Sequence, residues 1–186
     1  MTGLAVRALA IPGLLLVIPR KFADERGIFT ETWNSHAFSS IGIDATFVQD
    51  NQSVSVAPGT IRGLHFQTPP QAQAKLVRVV AGSVFDVAVD LRRDSPFYGK
   101  HCSARLSAAG GEQIYIPQGF AHGFCTLEPQ TIVAYKVDSP YAPECDRGFA
   151  WNDPDLAIDW PVDASRVVLS AKDAQLGRFS ALKAWF

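Results

Sequence analysis

Apolar and polar residues alternate with a period of two through much of the chain, in short runs separated by Gly, Pro, Asn and Ser. The clearest run is Ser83–Arg92. Phe85, Val87, Val89 and Leu91 fall on one face of it, and Val84, Asp86, Ala88 and Asp90 on the other. Successive side chains of a β-strand point to opposite faces, so this spacing predicts a strand. The run before it, Ala74–Gly82, predicts a second strand, and Gly82-Ser83 supplies the hairpin turn between them. Gln130–Asp138 puts Thr131, Val133, Tyr135 and Val137 on one face. Glu112–Gly119 and His122–Glu128 read as strands flanking the Pro117–Gly119 turn, and further strands are predicted at 14–18, 46–56 and 59–66. Helical patterning is confined to 34–42, capped by Asn or Ser and stopped by Gly42, and to 173–185. Many short strands with few helices predict an all-β sandwich or barrel with a few short peripheral helices. In a small barrel Asp86 and Asp90 would line an interior cavity, but alternation alone favours solvent for their face.

Composition adds limits to this picture. At 186 residues, the chain fits one domain, residues 1–186. A domain of that size buries roughly 70% of the surface its unfolded chain exposes, so stability requires no disulfide or metal staple. The 14 Gly and 12 Pro residues are spread along the chain, which suits a fold rich in turns. The formal net charge is −1 and no run of five like charges occurs, so a nucleic-acid footprint is absent. Cys102, Cys125 and Cys145 form no CxxC pair, which argues against a disulfide framework or thiolate zinc site and points to a reducing compartment. The apolar stretch 8–19 is too short to span a bilayer and is broken at Pro12-Gly13. Arg20-Lys21 follow it where a secretory leader would place small residues. It reads as a turn and a strand of a cytoplasmic protein without a membrane partner.

The histidines carry the candidate chemistry. Gly59-x5-His65 and Pro117-x-Gly119-x2-His122 resemble the paired motifs of the cupin superfamily. A metal-binding cupin places a second histidine two residues after the first and a carboxylate a few residues later. Here those places hold Gln67 and the segment TPPQAQAK. A divalent ion needs about three or four protein ligands, and only His65 and His122 remain, so no metal or other cofactor is expected. His65 is then either a base or a core residue. Arg62 and Lys75 nearby suit an anionic ligand, and Gly59 and Gly63 permit close backbone approach. Neither feature identifies a reaction.

Six segments occur in order: DERGIFTETW, NQSVSVAPGTIRGLHFQ, QAKLVRVVAGSVFDVAVDLRRDSPFYGK, IPQGFAHGF, AYKVDSPYAPECDRG and LAIDWP…LSAKDA. Together, from about residue 4 to residue 180, they resemble the dTDP-4-dehydrorhamnose 3,5-epimerases, metal-free members of the cupin superfamily. The resemblance implies a cupin-type jelly-roll fold and a thymidine diphosphate 4-keto-6-deoxyhexose substrate, inverted at C3 and C5. It also implies a homodimer in which the N-terminal segment, about 1–35, is exchanged between subunits. It places the base at His65, its carboxylate partner at Asp173, the enolate-stabilising cation at Lys75 and the acid at Tyr135.

The nucleotide-binding set follows from the same resemblance. Arg26 and Arg62 match residues that hold the pyrophosphate region. Phe29, Glu31 and Tyr141 match a thymine-binding set that the exchanged segment helps to build. Gln49 and Asn51 match polar groups near the substrate, His122 a pocket-lining contact rather than a second base, and Lys172 a further phosphate contact. Asp146 stands where the family more often has Glu. The alternatives are a 3-epimerase or ketoisomerase of another deoxysugar pathway, a sugar-nucleotide binder without catalysis, and a metal-dependent cupin oxygenase. Presence of both His65 and Tyr135 disfavours the binder, and Gln67 disfavours the oxygenase.

Overall fold

The computed structural model describes residues 3–186. Two antiparallel sheets dominate it. The first runs in the order β1 (Leu4–Ala8), β2 (Leu15–Pro19), β10 (Gln113–Ile116), β7 (Lys75–Ala81), β12 (Thr131–Val137), β5 (Gln49–Ser55). The second runs β13 (Asp146–Gly148), β6 (Ile61–Gln67), β11 (Phe120–Thr126), β8 (Ser83–Asp90), β9 (His101–Ser107). A separate hairpin pairs β3 (Lys21–Asp24) with β4 (Gly27–Thr30). The fold is therefore all-β, as the alternation predicts, and the two sheets form a sandwich and not a closed barrel.

Three apolar clusters hold the layers together. Val77, Val79, Ile114 and Val133 from the first sheet pack with Val84, Ala88, Leu106, Phe120 and Phe124 from the second, forming the core between them. The outer face of the second sheet is also dry. Leu64, Phe66, Val87 and Val89 lie there under Phe149, Leu156 and Trp160 and the C-terminal Phe179, Leu182 and Phe186. The outer face of the first sheet packs Val17 and Leu76 against Phe38 of α1 (Ser35–Ser39). This helix starts where expected, with Asn34 Oδ1 accepting the Ala37 N–H at 3.1 Å. It then turns out at Gly42, whose φ of +85° suits glycine.

Two expectations fail for identifiable reasons. The face of β8 that carries Asp86 and Asp90 points inward, and both residues are fully buried. The opposite, apolar face looks outward but is covered by the C-terminal segment, so neither face is left to solvent. Nor is 173–185 a helix. It holds two 3-10 turns, Asp173–Gln175 and Phe179–Ala181. The backbone there bonds sideways, Ala150 N–H to Gly177 O at 2.8 Å and Phe179 N–H to Asp153 Oδ2 at 2.7 Å, which displaces helical pairing. β1, the β3–β4 hairpin, β9 and β13 are elements that the alternation pattern does not reveal.

One local irregularity positions the site. Period-two alternation would put Arg62 and His65, three residues apart, on opposite faces of β6. Both nevertheless line one cavity. The β11–β6 register shifts between His122 and Phe124, and Gly63 at φ +126° lies against Gly123 there. A bulge of this kind re-aims the side chains that follow it. A Cβ at Gly63 would stand 2.6 Å from Gly123 Cα and 2.8 Å from His122 O, both backbone atoms. Gly63→Ala is accordingly expected to cost about 3 kcal/mol in thermal or denaturant unfolding. A loss below ~1 kcal/mol would show that the close approach is dispensable.

Candidate active site

The bulge brings His65 to the wall of a cavity of about 530 Å³, a size suited to a small organic ligand. Lys75 from the start of β7, Tyr135 from β12 and Asp173 from the C-terminal segment line the same space. His65 and Asp173 meet although 108 positions separate them, with His65 Nε2 2.7 Å from Asp173 Oδ1. The C-terminal chain reaches this point by docking on the end of β6. Ile61 N–H donates to Val168 O, and Val168 N–H to Gly59 O, each at 3.0 Å. Ser170 Oγ then accepts the Asp173 N–H at 3.0 Å. Burial works to raise the Asp173 carboxyl, but the hydrogen bond and charge of His65, the Gly63 backbone and the Ser170 hydroxyl together hold it below the usual carboxylate range. An ionised Asp173 fixes the proton on His65 Nε2 and leaves Nδ1 as the ring's free basic atom.

The other two candidates carry opposite proton tendencies. Lys75 is buried, and its Nζ donates to His65 O at 3.3 Å. Burial lowers its ammonium to about 8, against the opposing pull of Asp86 and Asp146. Burial raises the Tyr135 phenol, Arg62 works to lower it and Asp146 adds to the rise. Tyr135 is therefore a protonated donor at neutral pH, and Lys75 a cation that is readily lost above it.

The remaining residues of the cavity form its mouth. Gln49 Nε2 donates to Asn51 Oδ1 at 2.8 Å, while Gln49 Oε1 accepts the Tyr141 N–H at 3.0 Å. Arg62 is anchored by Ser55 Oγ at 3.2 Å and Val54 O at 3.1 Å. The hydroxyl of the exposed Tyr141 donates to Asp146 Oδ2 at 3.0 Å, and Lys172 pairs with the same oxygen. Asp146 and Lys172 thus engage each other in this state, and a ligand phosphate would have to draw Lys172 away. His122 lines the inner wall. Arg26, Phe29 and Glu31 are not brought to this cavity. Arg26 pairs with Asp24 at 2.6 Å, and Phe29, 69% exposed, stands out on the β3–β4 hairpin.

Gln67, standing where a metal-binding cupin has a ligand, is committed to the fold. Its amide donates to Gln71 O at 2.6 Å and Pro140 O at 3.1 Å and accepts the Ala142 N–H at 2.8 Å. Among the described residues no group of three or more His, Cys, Asp or Glu is placed to hold a metal ion. Sequence reasoning passed over Gly148, which pairs with His65 across β13–β6. A Cβ there would stand 2.6 Å from Leu64 O and 3.0 Å from the His65 ring, so the bare backbone makes room for the imidazole. It also passed over Ser170, although a serine three residues before an aspartate is a common local cap.

The chain matches the dTDP-4-dehydrorhamnose 3,5-epimerase family model over residues 8–181. It is 50% identical over 168 residues to a dTDP-4-dehydrorhamnose 3,5-epimerase of Sinorhizobium fredii, covering 90% of this chain and 86% of that one. Among solved structures it resembles a Legionella pneumophila 3,5-epimerase in complex with dTDP-4-keto-L-rhamnose, with TM-score 0.93, 42% identity, and coverage of 97% and 95% of the two chains. A 3'-monoepimerase from Streptomyces bikiniensis in complex with dTDP-quinovose gives TM-score 0.87 at 31% identity, covering 94% of this chain and 87% of that one.

Proposed function

The chain belongs to the dTDP-4-dehydrorhamnose 3,5-epimerase family, and on that premise we propose how it converts dTDP-4-keto-6-deoxy-D-glucose to dTDP-4-keto-L-rhamnose. The observation that carries this reading is the His65–Asp173 pair in a cavity shared with Lys75 and Tyr135. Hydrogens on C3 and C5 are acidic because each carbon neighbours the C4 ketone. His65 Nδ1 removes one of them, and the electron pair moves onto O4 as an enolate. Lys75 faces that developing charge as a fixed cation in a dry setting. Tyr135 returns a proton to the carbon from the other side of the ring, so its configuration is inverted. Water then takes the extra proton from His65 and returns one to Tyr135, and the second carbon repeats the sequence.

Arg62, Gln49, Asn51, Tyr141 and Lys172 hold the nucleotide and its pyrophosphate at the mouth, with His122 a contact within. Arg26, Phe29 and Glu31 complete the pocket of a second copy. Their support is the hairpin itself, which carries the exposed Phe22, Ile28 and Phe29 away from the chain's own cavity. The protein is accordingly read as a homodimer whose exchanged segment lies at the N-terminus, within about residues 1–35. Each subunit is one domain. A cytoplasmic location is in keeping with three free cysteines.

The test is incubation with dTDP-4-keto-6-deoxyglucose in D2O, with deuterium read at C3 and C5 by NMR. Incorporation and inversion at both carbons is the expected result. Exchange at C3 alone would mark a 3-epimerase, and exchange at neither a binder. The pH profile tests Lys75 separately. The charged lysine is the active form and burial lowers it to about 8, so kcat/KM is expected to fall as pH rises through about 8. An unburied lysine would hold activity to about pH 10. A profile flat to that pH would remove Lys75 from the oxyanion role.

A further inference from the structure

A second Asp–His couple lies beside the first. His122 and His65 are direct partners across β11 and β6. His122 Nε2 sits 2.9 Å from Asp86 Oδ2, as His65 Nε2 sits against Asp173. His122 lines the cavity, and Asp86, fully buried on β8, lies behind it. The other carboxylate oxygen, Asp86 Oδ1, is buried with no hydrogen-bond partner. A buried carboxylate with one oxygen unpaired is costly. An amide or apolar residue would pack there at less expense, so a carboxylate at this position points to a charge that acts on something nearby.

We propose that Asp86 is a positioning residue of the epimerase reaction, holding His122 with its proton on Nε2 so that Nδ1 meets the sugar as an acceptor for a ring hydroxyl. Asp86 Oδ2 accepts from Nε2, which settles the tautomer by the logic that applies wherever a carboxylate backs a functional imidazole. The ring's remaining polar atom is Nδ1, and the remaining exposure of the side chain is into the cavity. His65 and His122 thus present the same ring atom from adjacent strands but do different work. His65 takes a carbon-bound proton, and His122 accepts a hydroxyl hydrogen bond that fixes how the hexose lies over His65. The same carboxylate also opposes the loss of charge at the buried Lys75.

The inference rests on the epimerase reading for its substrate, but the tautomer is measured without substrate, so the two fail separately. The experiment uses the full chain as wild type, Asp86→Asn, His122→Gln and the double variant. Imidazole ¹⁵N spectra of the free wild-type enzyme should show His122 protonated at Nε2 with Nδ1 bare. Asp86→Asn should shift that ring toward the other tautomer and lower kcat/KM roughly 10- to 100-fold, the usual effect of removing the group that orients a functional histidine. In the His122→Gln background, assayed about two pH units below the Lys75 titration so that the lysine stays charged without Asp86, Asp86→Asn should cost about twofold or less. A wild-type ring protonated at Nδ1 alone would overturn the proposal, and that readout stands even if a variant fails to fold. So would an Asp86→Asn enzyme within about twofold of wild type, or an undiminished penalty in the double variant. If the ring behaves as stated but the wild type does not turn over the sugar nucleotide, the epimerase reading fails and the pairing stands.

Discussion

His65→Ala is expected to abolish both turnover and deuterium incorporation at C3 and C5, lowering kcat by roughly 10³-fold or more. The size follows from the role. Without a base at the α-carbon no enolate forms, and Lys75 and Tyr135 have nothing to stabilise or protonate. Alanine removes the ring but leaves the β6 backbone, whose own carbonyl still accepts from Lys75, so the fold should persist and thermal unfolding should show it. Asp173→Asn should reproduce part of the loss, because an amide presents the wrong hydrogen-bonding group to Nε2. It would also leave a buried group less well matched to the Ser170 and Gly63 contacts that now hold the carboxylate. Deuterium still entering either carbon at near wild-type rate in His65→Ala would sink the mechanism, since some other group would then be the base.

Much of the fold was legible because alternation is a local signal. β7, β8 and β12 show it plainly, and their inward residues Val77, Val133 and Tyr135 sit in or beside the core between the sheets. That His65, Lys75, Tyr135 and Asp173 share one cavity was legible for a different reason, the resemblance of ordered segments, and physics alone left His65 open between base and core residue. What could not be read depends on contacts distant in sequence. Nothing in the spacing of His65 and Asp173 tells that Val168 pairs with the end of β6 and carries the aspartate in. Alternation along β6 misplaces His65 unless the Gly63–Gly123 bulge is known, because one extra residue reverses every side chain after it. Asp86 and Asp90 were misassigned to solvent because a strand covered on both sides has no polar face to betray it. Their partners, His122 for one and Arg92 with Ser95 for the other, come from other parts of the chain or from the turn beyond.

Tyr135→Phe separates removal of the proton from its return. The expected enzyme still exchanges the C3 hydrogen with solvent, within about tenfold of wild type, but forms inverted product at least roughly 100-fold more slowly. The asymmetry is geometric. His65 and Lys75 do not need the phenol to generate the enolate. Once formed, the enolate carbon can regain a proton from the protonated His65, which stands on the face from which the proton left, whereas Lys75 faces the oxygen. Reprotonation there regenerates substrate. In D2O the imidazolium proton exchanges with solvent between departure and return, so recovered substrate gains deuterium with its configuration intact. Burial holds the phenol above its ordinary range, which makes it a weak acid, but the carbon it protonates is far more basic. Phenylalanine keeps the ring in its place on β12, so lost packing cannot account for the change. A variant that inverts C3 at near wild-type rate would assign the acid elsewhere. One that loses exchange and inversion in equal measure would show that Tyr135 helps form the enolate and does not merely quench it.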